Sequence, residues 1–184
     1  RLSFDHGEGI GKQIAYLQGV VGRRFYVLRE CLPMDERGRI IESPTPADVV
    51  KSVMVGLESL GLSVHHVRRA KGDINSSGLT GGGGKYNAHL EAAFMDHLRM
   101  SGPPFDIEIP NKRSVNAGEA AMNTAMRDGR WFEHESCVAS IHASRHYTGR
   151  EKDLKDPIDA KRYAVTDLLL ATKGGGTGPR VLTL

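Results

Sequence analysis

Leu2-Ser3-Phe4-Asp5-His6-Gly7-Glu8-Gly9 opens the chain, followed by Ile10-Gly11-Lys12 and then Gln13-Ile14-Ala15-Tyr16-Leu17-Gln18-Gly19-Val20-Val21. An apolar strand runs into an aspartate. Glycines at 7, 9 and 11 let the chain reverse, because glycine reaches positive φ without steric cost. A second strand, Gln13 to Val21, returns beside the first. After Gly22-Arg23-Arg24 a third follows, Phe25 to Cys31. This predicts a three-strand meander with a carboxylate at the head of its first strand, beside a turn that leaves that head uncrowded. Three designs begin this way: a nuclease whose strand aspartate holds metal, a phosphotransferase whose strand-Asp-x-Gly hairpin meets phosphate, and an ordinary hairpin with a turn aspartate.

The 184 residues suffice for one substantial domain. Hydrophobic content of 39% and charged content of 26% are those of a globular chain. A net charge of +3 permits a polyanionic partner without demanding one. Cys31 and Cys137 are far apart and form no CxxC pair, so they read as reduced thiols rather than a zinc site or disulfide framework. No apolar run reaches the 18 residues that a membrane span needs. A start on Arg1, directly before a core strand, suggests a domain excised from a longer chain.

Further along, Leu32 to Pro46 is a connection, with Arg39-Ile40-Ile41-Glu42 as a short strand. Thr45 is an N-cap with Pro46 at the first helical position. The helix buries Val49, Val50, Val53, Leu57 and Leu60, and Gly61 stops it. Ser63 to Ala70 reads as a fourth strand, with the His65-His66 pair mid-strand, and it leads into Lys71-Gly72-Asp73. The glycine run 81–84 before Lys85 superficially resembles a phosphate loop. Its spacing fails, with Leu79 where the first glycine belongs and Tyr86 where Ser or Thr belongs. A loop over a groove, with Lys85 near a phosphate, fits better.

Asn87 to Met100 is predicted helical, Phe105 to Pro110 a strand, and Val115 or Asn116 to Arg127 a helix. Trp131 belongs to packing rather than to a base-stacking platform. Cys137 to Ala143 suits helix or strand, and His146 to Arg150 a hairpin strand. Asp156 then serves as N-cap and Pro157 as first residue of a last helix that buries Ile158, Val165, Leu168 and Leu169. The order β-β-β-α-β-α-β-α plus a final helix predicts a mixed α/β sheet with helices on both faces, the ribonuclease-H-like order. The domain spans 1–172, and 173–184 is a tail or edge segment.

In such a sheet the first and fourth strands are parallel neighbours. Asp5 and Asp73 then share one edge, and Asp159 sits on a helix that packs over it. Converging carboxylates repel without cations, and an oxygen-rich cluster suits Mg²⁺ or Mn²⁺. Two such ions about 3.5–4 Å apart serve phosphodiester hydrolysis. Blander roles exist: Asp159 as a first-turn helix carboxylate, Asp156 as a cap, Glu8 as a turn residue, Arg162 and Tyr163 as helix packing. Lys112, Arg113, Arg145, Arg150, Lys152 and Lys155 line a DNA groove only if they cluster in space.

These residues also carry a family resemblance over most of the chain. Phe4-Asp5-His6-Gly7-Glu8-Gly9, Asp73 after the fourth strand, and Asp156-Pro157-Ile158-Asp159-Ala160-Lys161-Arg162-Tyr163-Ala164 resemble the nuclease domain of tailed-bacteriophage large terminase subunits. The last stretch is similar to that family's Asp-His-x-x-Asp-Ala-x-Arg-Tyr-Ala pattern, with Pro157 in place of the histidine. The resemblance implies a ribonuclease-H-like endonuclease that cuts concatemeric viral DNA during genome packaging. It implies Asp5, Asp73 and Asp159 as catalytic metal ligands for two Mg²⁺ or Mn²⁺ ions, with Asp156 or His6 standing in for the missing histidine. Implied partners are double-stranded DNA, an ATPase domain on a preceding part of the chain, a small terminase subunit and a portal protein, in the host cytoplasm and without a membrane. Nothing resembles a base-reading motif, so weak sequence specificity is expected. A non-catalytic DNA- or portal-binding module and an actin-like phosphotransferase lobe are the rival expectations.

Overall fold

The computed structural model describes residues 1–6, 13–72, 85–110 and 115–171. Among them six strands form one sheet in the order β5-β4-β1-β2-β3-β6. β1 (Leu2–His6), β2 (Gln13–Val21) and β3 (Arg24–Cys31) make the expected antiparallel meander. β4 (Ala70–Gly72) lies parallel to β1, pairing Leu2 with Ala70 and Phe4 with Gly72. β5 (Ile107–Glu108) continues in parallel beside β4. β6 (Trp131–Glu133) closes the other edge, parallel to β3. Among the described residues five helices cover the faces: α1 (Pro46–Ser59), α2 (Lys85–Leu98), α3 (Val115–Arg127), α4 (Val138–His146) and α5 (Lys152–Ala171). This is the ribonuclease-H-like mixed sheet.

α1 forms as its sequence dictates. Thr45 and Asp48 make a reciprocal capping box, and Pro46 opens the helix. At the other end Gly61 adopts φ +66°, Gly61 N–H donates to the Glu58 carbonyl and Leu62 N–H to the Leu57 carbonyl, a Schellman stop that needs a left-handed residue. Gly56 lets α1 approach the sheet, since a Cβ there would stand 2.6 Å from Cys31 Sγ.

Five local expectations are corrected. Ser63 to Ala70 is not a strand. Val64–His66 is a single 3-10 turn, held where Ser63 N–H donates to His66 Nδ1 at 3.1 Å, and extended pairing starts only at Ala70. Arg39 to Glu42 supplies one isolated bridge, Met34 to Ile40. The fifth strand shrinks to two residues. His146 ends α4 and begins no hairpin strand. α5 starts four residues before Asp156, so Asp156 is not its cap and Pro157 lies inside the helix. Upstream of that start, Thr148 N–H and Oγ1–H both donate to the Glu151 carboxylate at 2.7 Å, and this turn launches the helix earlier than the Asp-Pro pair suggests.

Period-two alternation splits the sheet into two cores. Leu2, Phe4, Ala15, Leu17 and Cys31 meet Val49, Val50, Val53 and Leu57 of α1 and Leu90 and Phe94 of α2. Ile14, Tyr16, Phe25, Val27 and Trp131 meet Ala121 and Met122 of α3, Ala143 of α4 and Ile158, Ala164 and Val165 of α5. Trp131 stacks on Phe25 with ring centroids 5.9 Å apart, which confirms its packing role.

Candidate metal centre

Ser3 and Asp5 point to the α3–α5 side of the sheet, opposite Phe4. On that side α5 packs across β1, β2 and β4. Three hydrogen bonds fix the relative direction of β1 and α5. Arg1 Nη1 donates to the Ala164 carbonyl at 2.6 Å, and Gln18 Nε2 donates both to Ser3 Oγ at 3.0 Å and to the Lys161 carbonyl at 3.2 Å. Ascending β1 therefore means descending α5. Two residues beyond Ser3 is about 7 Å of strand, and two residues before Lys161 is about 3 Å of helix. Asp5 and the Asp159 turn are carried to the same end of the same face. The cross-strand neighbour of Asp5, Ile14, packs in one cluster with Ile158. Both carboxylates are withdrawn from water, Asp5 being 6% and Asp159 7% exposed.

Asp73 lies outside the described residues, as do Glu8, Lys112, Arg113, the glycine run before Lys85 and the 173–184 segment; the side chains of His6 and Lys85 are likewise outside them. β4 ends at Gly72, level with Phe4 and one residue before Asp73 in sequence. That end is pinned by Asn87, whose Nδ2 donates to the Gly72 carbonyl at 3.2 Å and to the Ile107 carbonyl at 3.4 Å. Glu91 accepts from Ile107 N–H at 2.7 Å. Among the described residues, no three His, Cys, Asp or Glu side chains converge as a metal cluster. The donor chemistry at Asp5 and Asp159 nevertheless fits a hard divalent cation: carboxylate oxygens, buried, at one end of a shared face. Asp156 lies one turn before Asp159 on α5, half-buried, so the three-residue spacing gives the two a shared helix side.

Around Asp159 the helix is lined with cations. Arg162 holds Asp159 Oδ1 through Nη2 at 2.8 Å and Nε at 3.3 Å, and its guanidinium lies 4.9 Å from the Tyr163 ring centroid. Lys155 Nζ stands 3.9 Å from Asp159 Oδ2. Arg145, Arg150, Lys152 and Lys155 are all exposed where α4 ends and α5 begins. Tyr147 neighbours them: burial first, then the charges of Glu119 and Asp159, push its phenol above the ordinary value. It helps line a cavity of about 210 Å³ with Glu119, Met122, Asn123, Ser144 and Ile158.

A second polar system sits deeper. Lys161 is fully buried, and its Nζ donates to Glu133 Oε1 at 3.0 Å, the Ser140 carbonyl at 3.0 Å and Ser144 Oγ at 2.6 Å. Burial pulls the Lys161 amine below its ordinary value, and Glu133 opposes this. Burial alone would raise Glu133, but Lys161 and the hydrogen bonds from Ser144 and Trp131 outweigh it and hold the carboxyl low. Glu30 accepts from Ala139 N–H and Ser140 N–H at the start of α4 and from Tyr16 Oη, and burial dominates to raise its pKa. This network ties α4, β3, β6 and α5 into one body.

Lys161 and Asn87 escaped the sequence reading, yet Lys161 had a signal. Ile158, Lys161, Arg162 and Val165 follow i, i+3, i+4, i+7, the buried stripe of a helix. Two cations inside that stripe must be buried and partnered.

The chain matches no protein-family model and no curated protein. It is similar in structure to the large terminase of a thermophilic bacteriophage, seen in two crystal forms. One superposes with a TM-score of 0.61 at 16% identity over 91% of this chain, the other with 0.59 at 18% identity. It is also similar to the nuclease domain of the P22 large terminase, with a TM-score of 0.59 at 16% identity, over 91% of this chain and 79% of that one. The chain spans 39% of the thermophilic phage protein in the first of these matches. The fold of these terminase structures, a ribonuclease-H-like mixed sheet, is therefore the fold of this chain, which carries Asp5 and Asp159 at one end of its α5 face.

Proposed function

We propose that this chain is a metal-dependent DNA endonuclease domain that cuts concatemeric viral DNA during genome packaging. The observation that carries the reading is the placement of two buried carboxylates, Asp5 on β1 and Asp159 on α5, at the same end of one sheet face. Burying two acids at one place costs free energy that cations offset; Arg162 does so at Asp159, and a divalent ion held by both carboxylates would add to it. The likeness to solved terminases supports the packaging context. Asp5, Asp73 and Asp159 would hold Mg²⁺ or Mn²⁺, with Asp156 beside them. When bound, a pair of such ions makes water nucleophilic at neutral pH and stabilises the leaving oxygen.

The protein's own residues do the rest. Asp5 and Asp159 present oxygens from two rigid elements, and Gln18 locks those elements together. The exposed Arg145, Arg150, Lys152 and Lys155 would meet the phosphate backbone, which gives affinity without sequence reading. In this reading the ATPase domain, the small terminase subunit and the portal are partners in the host cytoplasm. The test is cleavage of supercoiled plasmid with Mg²⁺, Mn²⁺ or EDTA by the wild type, Asp5→Asn and Asp159→Asn. Metal-dependent nicking and linearisation, lost in both variants, is the expected result. Cleavage that survives both substitutions rules out this site.

A further inference from the structure

Burying Arg162 carries a large desolvation penalty. The residue is 2% exposed and among the largest fully enclosed side chains of the described residues. Among the described residues its guanidinium hydrogen-bonds one turn along its own helix, to Asp159 Oδ1, through two nitrogens of the fork. The surrounding structure makes room for it: α3 crosses α5 at Gly118, where an added Cβ would stand 2.9 Å from Arg162 Cδ and 3.1 Å from Cγ. Thr166 Oγ1–H donates to the Arg162 carbonyl at 2.6 Å on the next turn. Replacing a buried ion pair by apolar side chains is often neutral or stabilising, so stability alone is a weak reason for this arrangement.

We propose that Arg162 is a positioning residue that selects which oxygen of Asp159 faces a cation. This inference rests on the metal-centre reading above and extends it. With Oδ1 held by the fork, Asp159 is turned so that Oδ2 is the oxygen available to an ion. Among the described residues the other cation near Oδ2 is Lys155, 3.9 Å off on a long, exposed side chain. Both nitrogens meet the one oxygen, so they hold Oδ1 from two directions, where a lysine ammonium offers a single point charge on a flexible stem. The permanent positive charge beneath Asp159 offsets its repulsion with Asp5. Gly118 belongs to the same device, since the missing Cβ leaves space for the arginine stem between α3 and α5.

The test is Mn²⁺ binding, followed by the loss of the free-ion paramagnetic resonance signal, together with metal-free thermal unfolding. The chains compared are the wild type, Arg162→Lys, Gly118→Ala and Asp159→Asn. Partners that orient metal ligands cost about 10–100-fold in affinity when changed. Arg162→Lys is expected to weaken Mn²⁺ within that range, and Gly118→Ala to weaken it in the same direction by less, since it displaces the stem but keeps the guanidinium that Arg162→Lys removes. If Arg162→Lys does not fold, Gly118→Ala decides, because alanine suits a helix better than glycine. Unchanged Mn²⁺ affinity in the folded variants, with only the unfolding temperature altered, makes Arg162 purely structural and overturns the inference while leaving the metal centre intact. A wild type that binds no Mn²⁺, or an Asp159→Asn chain that binds it equally well, overturns both.

Discussion

On one face of the sheet Leu2, Phe4, Ala15 and Leu17 meet the apolar stripes of α1 and α2. On the other, from the same strands, Ser3, Asp5 and Gln18 meet an α5 that buries Asp159, Lys161, Arg162 and Thr166. The first face is the simpler solution, because apolar burial is favourable without directional partners. The second requires its buried polar groups to be matched, and Lys161, Arg162 and Gln18 find Glu133, Ser140, Ser144, Asp159 and backbone carbonyls. Both faces carry an apolar core that holds the fold together. The second face gives up part of that stability to hold charges at fixed positions, as the proposed cleavage site would need.

Substitutions can break this contrast. The largest effect falls on activity: Asp5→Asn reduces plasmid cleavage to background, whereas Leu57→Ala on the opposite face leaves its metal dependence unchanged. Next comes Lys161→Met. It strands Glu133 in the interior and costs about 3–5 kcal/mol, read by urea unfolding. Adding Glu133→Leu recovers most of that loss, because a buried pair replaced as a unit is often neutral. Leu57→Ala costs about 2–5 kcal/mol with no charge rescue available. Thr45→Ala, which removes the α1 cap, costs about 1 kcal/mol.

Proton linkage sharpens the same contrast. The folded Glu133 carboxyl lies below its ordinary value of 4.5. Its contribution is therefore complete above about pH 4.5 and is lost as pH falls through the lower folded value. Glu30 acts with the opposite sign. Its folded value is raised, so the stability its protonation supports is complete at and below its ordinary 4.5 and is lost as pH rises through the folded value. Unfolding curves across pH 3–7 for Glu30→Gln should lack the decline above about pH 4.5, and those for Lys161→Met/Glu133→Leu should lack part of the acid loss.

The apolar face was the more legible one in the sequence. Thr45-Pro46, the Val49–Val53–Leu57 stripe and Gly61 each act locally, so α1 could be read nearly residue by residue. The β1–β2–β3 meander was equally plain. What escaped depends on partners distant in sequence or on turns that compete with the pattern. β4 shifted to Ala70–Gly72 because Ser63 and His66 close a turn and put Val64 and Val67 on the core side three residues apart, a helical rather than alternating spacing. α5 began early because Thr148 and Glu151 supply a turn that the Asp-Pro pair masks. Asp5 and Asp159 could be named from strand order and motif. Their setting was legible in part: the stripe through Ile158 and Val165 puts Lys161 and Arg162 inside, but the partners on β6 and α4 and the space at Gly118 are distant in sequence.

In the proposed function a cation is held on the α5 face, at the end of β1. The most direct measurement is a Mn²⁺ titration followed by residue-resolved amide NMR, in which the paramagnetic ion broadens nearby signals. Early loss of the amides around Asp5 and around Asp156 to Asp159 is expected, while Val49 to Leu57 of α1 stay sharp. Broadening that begins elsewhere, or none at all at saturating Mn²⁺, would contradict it.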